Sequence, residues 1–353
     1  MKAILALSLS LWLVASAFAA EPPRVADRPN QVTGTELTPK ARDAIDKGLR
    51  WLASRQQRDG SFGNGGVNAP SAVTSLSAIA MMSAGNLPGR GPYGDNVKRA
   101  ADFILNGAQK SGLLSADGSN GIMYSHGFAT LFLAELYGMT RDERVGETLG
   151  RAVRLIKQSQ NDEGGWRYMP IAADADISVT ICQVMALRAA RDAGIKVDRE
   201  IIDNAVAYVR RCQNPDGGFS YVANQGFGGG GSGFERSAAG VATLYYAGIF
   251  EGNDIKRGLE YVSRSLPGKN RNNQITGHYF YGQYYAAQAM FLAGGQYWSD
   301  WYPAVRDELI GRQRAAGQWD GEVSEDYCTA VSLIVLQMPN RYLPVFSGKG
   351  PGG

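Results

Sequence analysis

Hydrophobic and polar positions along the chain form two kinds of helical run. One kind is amphipathic, with apolar residues every three and four positions between charged ones, as in PKARDAIDKGLRWLASRQ, RVGETLGRAVRLIKQSQ and DREIIDNAVAYVRRCQ. The other kind is small and apolar on nearly every side, as in SAVTSLSAIAMMSAG, HGFATLFLAELYGM and DYCTAVSLIVLQMP. Because an amphipathic helix keeps one face in water and an all-round apolar helix is buried, the pattern predicts alternating outer and inner helices.

The two runs recur with a period of about 50 residues. A glutamine follows most of the amphipathic runs, at Gln57, Gln109, Gln160, Gln213 and Gln313, and a degenerate unit at 258–266 fills the one double interval. A single helical hairpin cannot bury its apolar faces, so neighbouring units must stack on one another. We therefore expect an all-α fold, an α/α toroid of six helical hairpins with about twelve helices in an inner and an outer ring.

Alternation also predicts where a functional site lies. All inner helices run in the same direction, so their N-termini emerge at one end of the ring, and we expect the chemistry there. The predicted organisation is a signal peptide at 1–20, an extended linker at 21–38, the toroid at 39–340 and a C-terminal tail at 341–353.

Composition and the N-terminus restrict the class of protein further. With 44% apolar residues and 20% charged residues, the chain has the profile of a protein with a large core. The formal charge is +3 and the basic residues are scattered, which excludes a nucleic-acid-binding stripe. The segment MKAILALSLSLWLVASAFAA has one lysine, an apolar stretch and an Ala-Phe-Ala ending, the pattern of an export signal. We expect a periplasmic or secreted protein whose mature chain has no transmembrane segment.

The stretch KGLRWLASRQQRDGSF, residues 47–62, resembles the glutamine-to-tryptophan repeat of squalene and oxidosqualene cyclases. Residues 151–166 and 204–219 repeat it, and 304–319 is a looser copy. The resemblance extends over essentially the whole mature chain and implies membership of the terpenoid cyclase and protein prenyltransferase superfamily. In that superfamily the glutamine ties one helix end to the next, so the repeat indicates the fold and not the reaction.

A second resemblance concerns the acidic stretch MPIAADADISVT. It is similar to the DXDD signature of class II terpene cyclases, in which Asp174 matches the first aspartate and Asp176 the catalytic one, while Ile177 replaces the last. The resemblance implies that Asp176 protonates an alkene or an epoxide. A carboxyl group in an apolar site beside another carboxylate is favoured in its acid form, as a proton donor requires. The alternative is that Asp174 or Asp176 only caps the inner helix.

Aromatic residues on the inner helices give a candidate binding site. Ring faces stabilise cations, and a cyclase guides carbocations with them. We expect an apolar central cavity for an isoprenoid or another lipid, lined by Phe128, Phe132, Tyr245, Tyr246, Phe280, Tyr281, Tyr284 and Tyr285, with Glu235 and His278 near its mouth. Packing of the same rings into a core is the alternative.

A zinc site is a further alternative, because Asp326-Tyr327-Cys328 is similar to the D-x-C ligand pair of protein prenyltransferase β subunits. No histidine follows Cys328, and His278 one repeat earlier is the remaining candidate ligand. We predict no metal and no cofactor. The cysteines at 182, 212 and 328 are expected to be buried thiols, although one pair would be free to bridge after export.

Two other classes of function stay open. A polysaccharide-cleaving enzyme would use two carboxylates at the mouth of the ring, chosen from Asp174, Asp176, Glu235, Glu322, Glu325 and Asp326. A non-catalytic toroid would instead bind a lipid or display a surface to a protein partner. The glycine-rich stretch at 224–237 is predicted to be a mobile loop at the mouth of the ring and not a phosphate-binding motif, because no strand precedes it.

Overall fold

The structure, a computed structural model, describes residues 34–63, 69–115, 121–223, 230–268, 278–321 and 323–346. The predicted signal peptide, most of the predicted linker, Glu322, the end of the tail and residues 224–229 of the glycine-rich stretch lie outside these ranges.

Twelve α-helices make up the described chain, and they alternate between an outer and an inner position. The outer helices are α1 (Pro39–Arg55), α3 (Gly94–Asn106), α5 (Glu143–Gln158), α7 (Arg199–Arg211), α9 (Asn253–Ser263) and α11 (Gly295–Arg312). The inner helices are α2 (Pro70–Met82), α4 (Ile122–Thr140), α6 (Ile177–Asp192), α8 (Phe234–Tyr246), α10 (Tyr279–Ala293) and α12 (Glu325–Gln337), followed by short 3₁₀ turns at Met338–Asn340 and Pro344–Phe346. The predicted all-α fold is confirmed.

The inner helices form a closed ring. Each packs against the next in the order α2, α4, α6, α8, α10 and α12, and α12 packs back against α2. The outer helix α1 likewise contacts α11 and α12 of the last hairpin. The chain is therefore a toroid and not an open solenoid.

A glycine turn follows five of the six outer helices and sets the spacing of the repeats. The turn glycines have φ values between 91° and 111°, at Gly60, Gly112, Gly164, Gly217 and Gly317. A Cβ atom on Gly164 would lie 2.2 Å from the carbonyl oxygen of Asn204 in the next outer helix. The same test on Gly317 places a Cβ atom 2.6 Å from the carbonyl oxygen of Lys47, so the last turn rests on the first helix. Only glycine combines this conformation with so close an approach.

In four of these turns a glutamine side chain bonds both the turn and the next outer helix. Gln160 donates from Nε2 to the carbonyls of Gly164 at 2.8 Å and of Ile201 in the next outer helix at 2.9 Å. Gln313 makes the same pair of bonds, to Gly317 and to Ala44 of α1, at 2.8 Å each. This last tie joins the end of the ring to its beginning.

One detail of the predicted repeat is wrong by a residue. In the first hairpin the fastening side chain is Gln56, which bonds the carbonyls of Gly60 and Asn96, both at 2.9 Å. Gln57 and Gln109 occupy the following position, where the backbone N–H bonds a carbonyl four residues ahead at 2.9 Å. The predicted period therefore mixed two adjacent positions of the same turn.

Each turn is also fixed to its own inner helix by a backbone N–H group. Trp166 donates its backbone N–H to Thr180 Oγ1 at 3.2 Å, and Trp319 donates to Thr329 Oγ1 at 3.0 Å. In the second hairpin the acceptor is His126, whose Nδ1 accepts from the backbone N–H of Leu114 at 3.2 Å. His126 therefore replaces a threonine of the repeat and has a structural role.

His126 makes the fold sensitive to acid. Burial lowers its pKa from 6.5 to about 4, so the unfolded chain binds more protons than the folded chain between these values. We expect the free energy of unfolding to fall by about 3 kcal/mol as the pH decreases from 6.5 to 4. His126→Thr should lose packing at pH 7 but remove this part of the acid dependence, which urea titrations at several pH values would measure. Parallel pH curves for both proteins would contradict the prediction.

The structure also describes the cysteines, the C-terminal tail and the apolarity of the helices. All three cysteines are free and buried. The tail returns to the ring, because Leu343 and Phe346 are buried and the turn at Pro344–Phe346 packs against α4 and α6. Among the helices that the structure describes, none combines the length and apolarity of a membrane span.

Candidate functional site

Of the two predicted catalytic aspartates, Asp176 is the one that the fold buries. It precedes α6, its side chain is fully buried, and Oδ1 accepts the backbone N–H of Val179 at 2.9 Å and the hydroxyl of Ser178 at 2.6 Å. The predicted capping role is therefore present. Oδ2 is also buried but accepts no hydrogen bond. One carboxylate oxygen thus holds the helix, and the other makes no hydrogen bond.

Asp174 lies elsewhere. Its side chain is 60% exposed and forms an ion pair with Arg167, with Oδ2 2.8 Å from NH1. The same guanidinium approaches the interior aspartate, with Nε 3.6 Å from Asp176 Oδ2. The two aspartates therefore share an arginine instead of lying side by side as a carboxyl pair in an apolar pocket.

Burial is the main influence on the acidity of Asp176. It raises the pKa of the carboxyl group above its ordinary value. The hydrogen bonds from Ser178 and Val179, the nearby Tyr221 hydroxyl and the Arg167 guanidinium oppose this rise. Because burial outweighs them, the acid form is more favoured here than in an exposed aspartate.

A group of tyrosines surrounds this carboxyl group. The Tyr124 hydroxyl is 2.5 Å from Ser178 Oγ, the Tyr281 hydroxyl donates to the Ser178 carbonyl at 3.3 Å, and the hydroxyls of Tyr168 and Tyr221 bond each other. The Arg167 guanidinium lies 5.1 Å from the ring centroid of Tyr168 and 5.8 Å from that of Tyr221. We call Tyr124, Tyr168, Tyr221 and Tyr281 the mouth tyrosines.

Sequence reasoning missed three of the mouth tyrosines and Arg167. Tyr168 and Tyr221 follow outer-helix turns and lie outside the inner-helix pattern, whereas Tyr124 lies in the first turn of the inner helix α4. A signal was present for Tyr168 and Tyr221, because each stands two residues after the buried aromatic residue of its turn, Trp166 or Phe219. The repeated spacing sends both side chains toward the same end of the ring.

The predicted cavity-lining aromatics pack against one another. Phe128 on α4 and Tyr284 on α10 have ring centroids 6.3 Å apart, and Tyr285 lies 4.9 Å from Tyr284 and 4.8 Å from Tyr281. Helices α4 and α10 stand opposite each other in the ring, so these rings meet across its axis. Phe132 and Tyr285 have no exposed surface, which excludes a water-sized space beside them. At this level the axis is filled, in contrast to the expected hollow.

The other predicted lining residues have their own packing partners. The Tyr246 hydroxyl donates to Gln288 Oε1 at 2.5 Å. Tyr245 packs against Phe250 with centroids 5.9 Å apart, and Phe280 packs against Tyr279 at 5.1 Å. These contacts make the aromatic residues of α8 and α10 part of the core.

Glu235 and His278 lie at the predicted end of the ring. Glu235 is half-buried in the first turn of α8 and packs against α10, where its Cγ would lie 3.0 Å from a Cβ atom built on Gly282. His278 is exposed immediately before α10.

The residues of the alternative zinc site have a structural role. Asp326 is buried and accepts from Arg55 Nε at 3.2 Å and from the backbone N–H of Gly63 at 2.9 Å. These bonds join the last inner helix to the first hairpin. Within the described ranges, no three His, Cys, Asp or Glu side chains are grouped as a metal ion would require.

Solved structures with the same architecture have diverse activities. The chain is similar to an alpha-1,6-mannanase from Salegentibacter sp. HEL1_6, with 12% identity and a TM-score of 0.62 over 84% of this chain and 98% of that chain. It is similar to the type II terpene cyclase MstE from Scytonema, with 13% identity and a TM-score of 0.58 over 87% and 100%. It is also similar to cellobiose 2-epimerase from Spirochaeta thermophila DSM 6192, with 14% identity and a TM-score of 0.62 over 86% and 98%. At such identities the likeness shows the fold alone.

The sequence itself carries the family assignment. No curated protein sequence matches the chain. Residues 32–266 match the model of the prenyltransferase alpha-alpha toroid domain, which is most of the chain. Together with the closed ring and its glutamine ties, this match places the protein in the prenyltransferase alpha-alpha toroid domain family.

Proposed function

We propose that the protein binds a linear isoprenoid at the mouth tyrosines and that Asp176 protonates it, as in a type II terpene cyclase. The observation that supports this is the second carboxylate oxygen of Asp176, which is buried and has no hydrogen-bond partner. Burial raises the pKa of the group, which favours the acid form that a proton donor needs. We include in the proposal that the N-terminal segment exports the protein to the periplasm or beyond.

The proposed reaction begins with a proton on Asp176 Oδ2. The π electrons of an alkene take this proton directly and leave a carbocation on the more substituted carbon. In an epoxide the oxygen takes the proton, and its C–O bond to the more substituted carbon breaks, which leaves a hydroxyl group and the same kind of carbocation. Further double bonds of the same chain attack the cation to close rings. Loss of a proton from the last cation to a base such as the Asp176 carboxylate gives a cyclic product that is an isomer of the substrate. The mouth tyrosines lie where their ring faces would stabilise the positive charge.

The structure favours an easily protonated substrate. Asp174 is exposed and paired with Arg167, so it contributes no second carboxyl group beside Asp176. The acidity of Asp176 then rests on burial, and Arg167 acts against it. An epoxide is more basic than a simple alkene, and an epoxidised prenyl chain is therefore the preferred candidate. The type II terpene cyclase similar to this chain has been solved with geranylgeranyl dihydroxybenzoate, a prenylated substrate.

Asp176→Asn tests the proposal. Asparagine caps a helix about as well as aspartate, so the fold should be retained while the proton donor is lost. We expect the full chain to convert an epoxidised linear prenyl substrate into a cyclic isomer and Asp176→Asn to reduce the rate by about 100-fold or more. Mass spectrometry coupled to chromatography would detect the isomer.

The matched control is Asp174→Asn. It also removes a carboxylate from Arg167, but at an exposed position, and we expect a reduction of at most about tenfold. Thermal unfolding would verify that both variants are folded. The proposal fails if neither plain nor epoxidised prenyl chains are cyclised by the wild type, or if Asp176→Asn is as active as the wild type.

A non-catalytic role is the second candidate, and the filled axis favours it. Rings from α4 and α10 occupy the centre where a long prenyl chain would otherwise fold. A protein of this kind would bind the ligand without changing it or would use its surface for a partner. Mass spectrometry of extracts from the purified protein distinguishes the catalytic role from the binding role. An unaltered bound lipid, together with no turnover of any prenyl substrate, supports the binding role.

A further inference from the structure

A groove on the outer surface, remote from the inner-helix N-termini, has an apolar floor and a basic rim. It runs between α5, the end of α6 and the start of α7 and has a volume of about 420 Å³. Its floor consists of Val153, Leu187, Ile195, Val197 and Ile201. We call it the α5–α7 groove.

The rim of the α5–α7 groove has more cations than anions. Lys157 forms an ion pair with Asp198, the single carboxylate among the lining residues. Arg154 and Lys196 have no hydrogen bond or ion pair with any residue that the structure describes. Lys196, after Lys157, also contributes to the lowered pKa of Asp198. Three cations thus share one carboxylate, and the rim keeps an excess of two positive charges beside the apolar floor.

The preceding repeat supplies a natural comparison. The α3–α5 groove lies between α3, α4 and the start of α5, and its volume is about 460 Å³. There Lys98 pairs with Asp102 at 2.7 Å, and Arg144 pairs with Asp142 at 3.0 Å, so the charges balance. In the α5–α7 groove an arginine, Arg154, takes the place that Asp102 has in this repeat. The excess charge is therefore a property of one groove and not of the fold.

We propose that the α5–α7 groove binds a small amphiphile with an anionic head, and specifically an alkyl carboxylate. The volume of the groove is within the range of small-molecule sites. The apolar floor would bury the alkyl chain, and Arg154 and Lys196 would bind the carboxylate through charge-assisted hydrogen bonds. The site is separate from Asp176, so it goes beyond the proposed cyclase function and does not depend on it.

Calorimetric titration of the full chain with decanoate, below the concentration at which it forms micelles, tests this site. We expect saturable binding at one site. The double substitution Arg154→Gln and Lys196→Gln should weaken that binding by about tenfold, since it removes both charges that face the carboxylate. Decanol, which has the same chain without a charge, should bind at least about tenfold more weakly than decanoate to the wild type.

The α3–α5 groove provides the control. Lys98→Gln with Arg144→Gln also removes two surface cations, and we expect it to leave decanoate binding unchanged. Thermal unfolding would establish that both double variants are folded. The proposal is overturned if decanoate does not bind, if both double variants bind equally, or if decanol binds as well as decanoate.

Discussion

Gly164→Ala is expected to destabilise the protein by about 3 kcal/mol or more. Gly164 has a φ of 95°, and a Cβ atom there would lie 2.2 Å from the carbonyl oxygen of Asn204. The neighbour is backbone in the middle of an outer helix, so it cannot rotate away as a side chain could. Relief of the overlap would move α7 away from the turn and weaken both hydrogen bonds of Gln160. Urea unfolding followed by circular dichroism would measure the loss.

Gly248→Ala is the matched control for this substitution. Gly248 has a φ of 92°, nearly the same as Gly164, but a Cβ atom there would meet nothing within 4 Å. Gly248→Ala should therefore lower the free energy of unfolding only by the backbone strain of this conformation, about 1 kcal/mol. The difference in the free energy of unfolding between Gly164→Ala and Gly248→Ala measures the contribution of the close contact between neighbouring hairpins. Equal losses would show that the turn glycines are needed for their conformation alone.

The architecture was predictable because two independent signals agreed. Helical periodicity distinguished the amphipathic outer helices from the buried inner helices, and the glycine turns recurred at a fixed spacing. The spacing did not predict which glutamine bonds the neighbouring helix, since Gln56 and Gln57 are adjacent in the first hairpin. Only the carbonyls that each side chain reaches distinguish the fastening residue from its neighbour.

The candidate site was predictable only in part. The acidic motif located Asp176 and its capping position, but the bends at residues 171–173 direct Asp174 to the surface. No periodic pattern governs such a loop. The tyrosines come from separate repeats, and Tyr281 reaches Ser178 over 103 residues of sequence. Aromatic residues on buried helices fit either a cavity or a core, and only the contact across the axis between α4 and α10 decided between them.

A second prediction concerns the opposite end of the ring, where the tail covers a buried carboxyl group. Glu135 of α4 is 1% exposed, its Oε2 accepts the backbone N–H of Val345 at 3.3 Å, and its Oε1 has no partner. Burial, helped by the charge of Asp192, raises the pKa of Glu135 from 4.5 to about 8. Near neutral pH the carboxyl group is therefore protonated while the tail is docked.

Stability should accordingly fall as the pH rises through this range. Between pH 4.5 and 8 the folded chain retains a proton on Glu135 that the unfolded chain has lost, so each step toward alkaline pH favours unfolding. We expect Glu135 to reduce the free energy of unfolding by up to about 4 kcal/mol over this interval. Glu135→Gln keeps an acceptor for the Val345 amide without a charge and should remove this dependence. Urea unfolding at pH 5, 7 and 9 would measure it.

Hydrogen exchange of the tail amides distinguishes the effect of Glu135 ionisation on tail docking from the effects of other titrating groups on global stability. Asp192 on α6 and the phenol groups of Tyr246 and Tyr284 interact with Glu135, but these groups are present in the variant as well. In the wild type, the protection of the Val345 amide should decrease between pH 7 and 9 once the known base catalysis of exchange is corrected for. In Glu135→Gln it should stay constant. If both proteins lose protection equally, the buried carboxyl group does not control the docking of the tail.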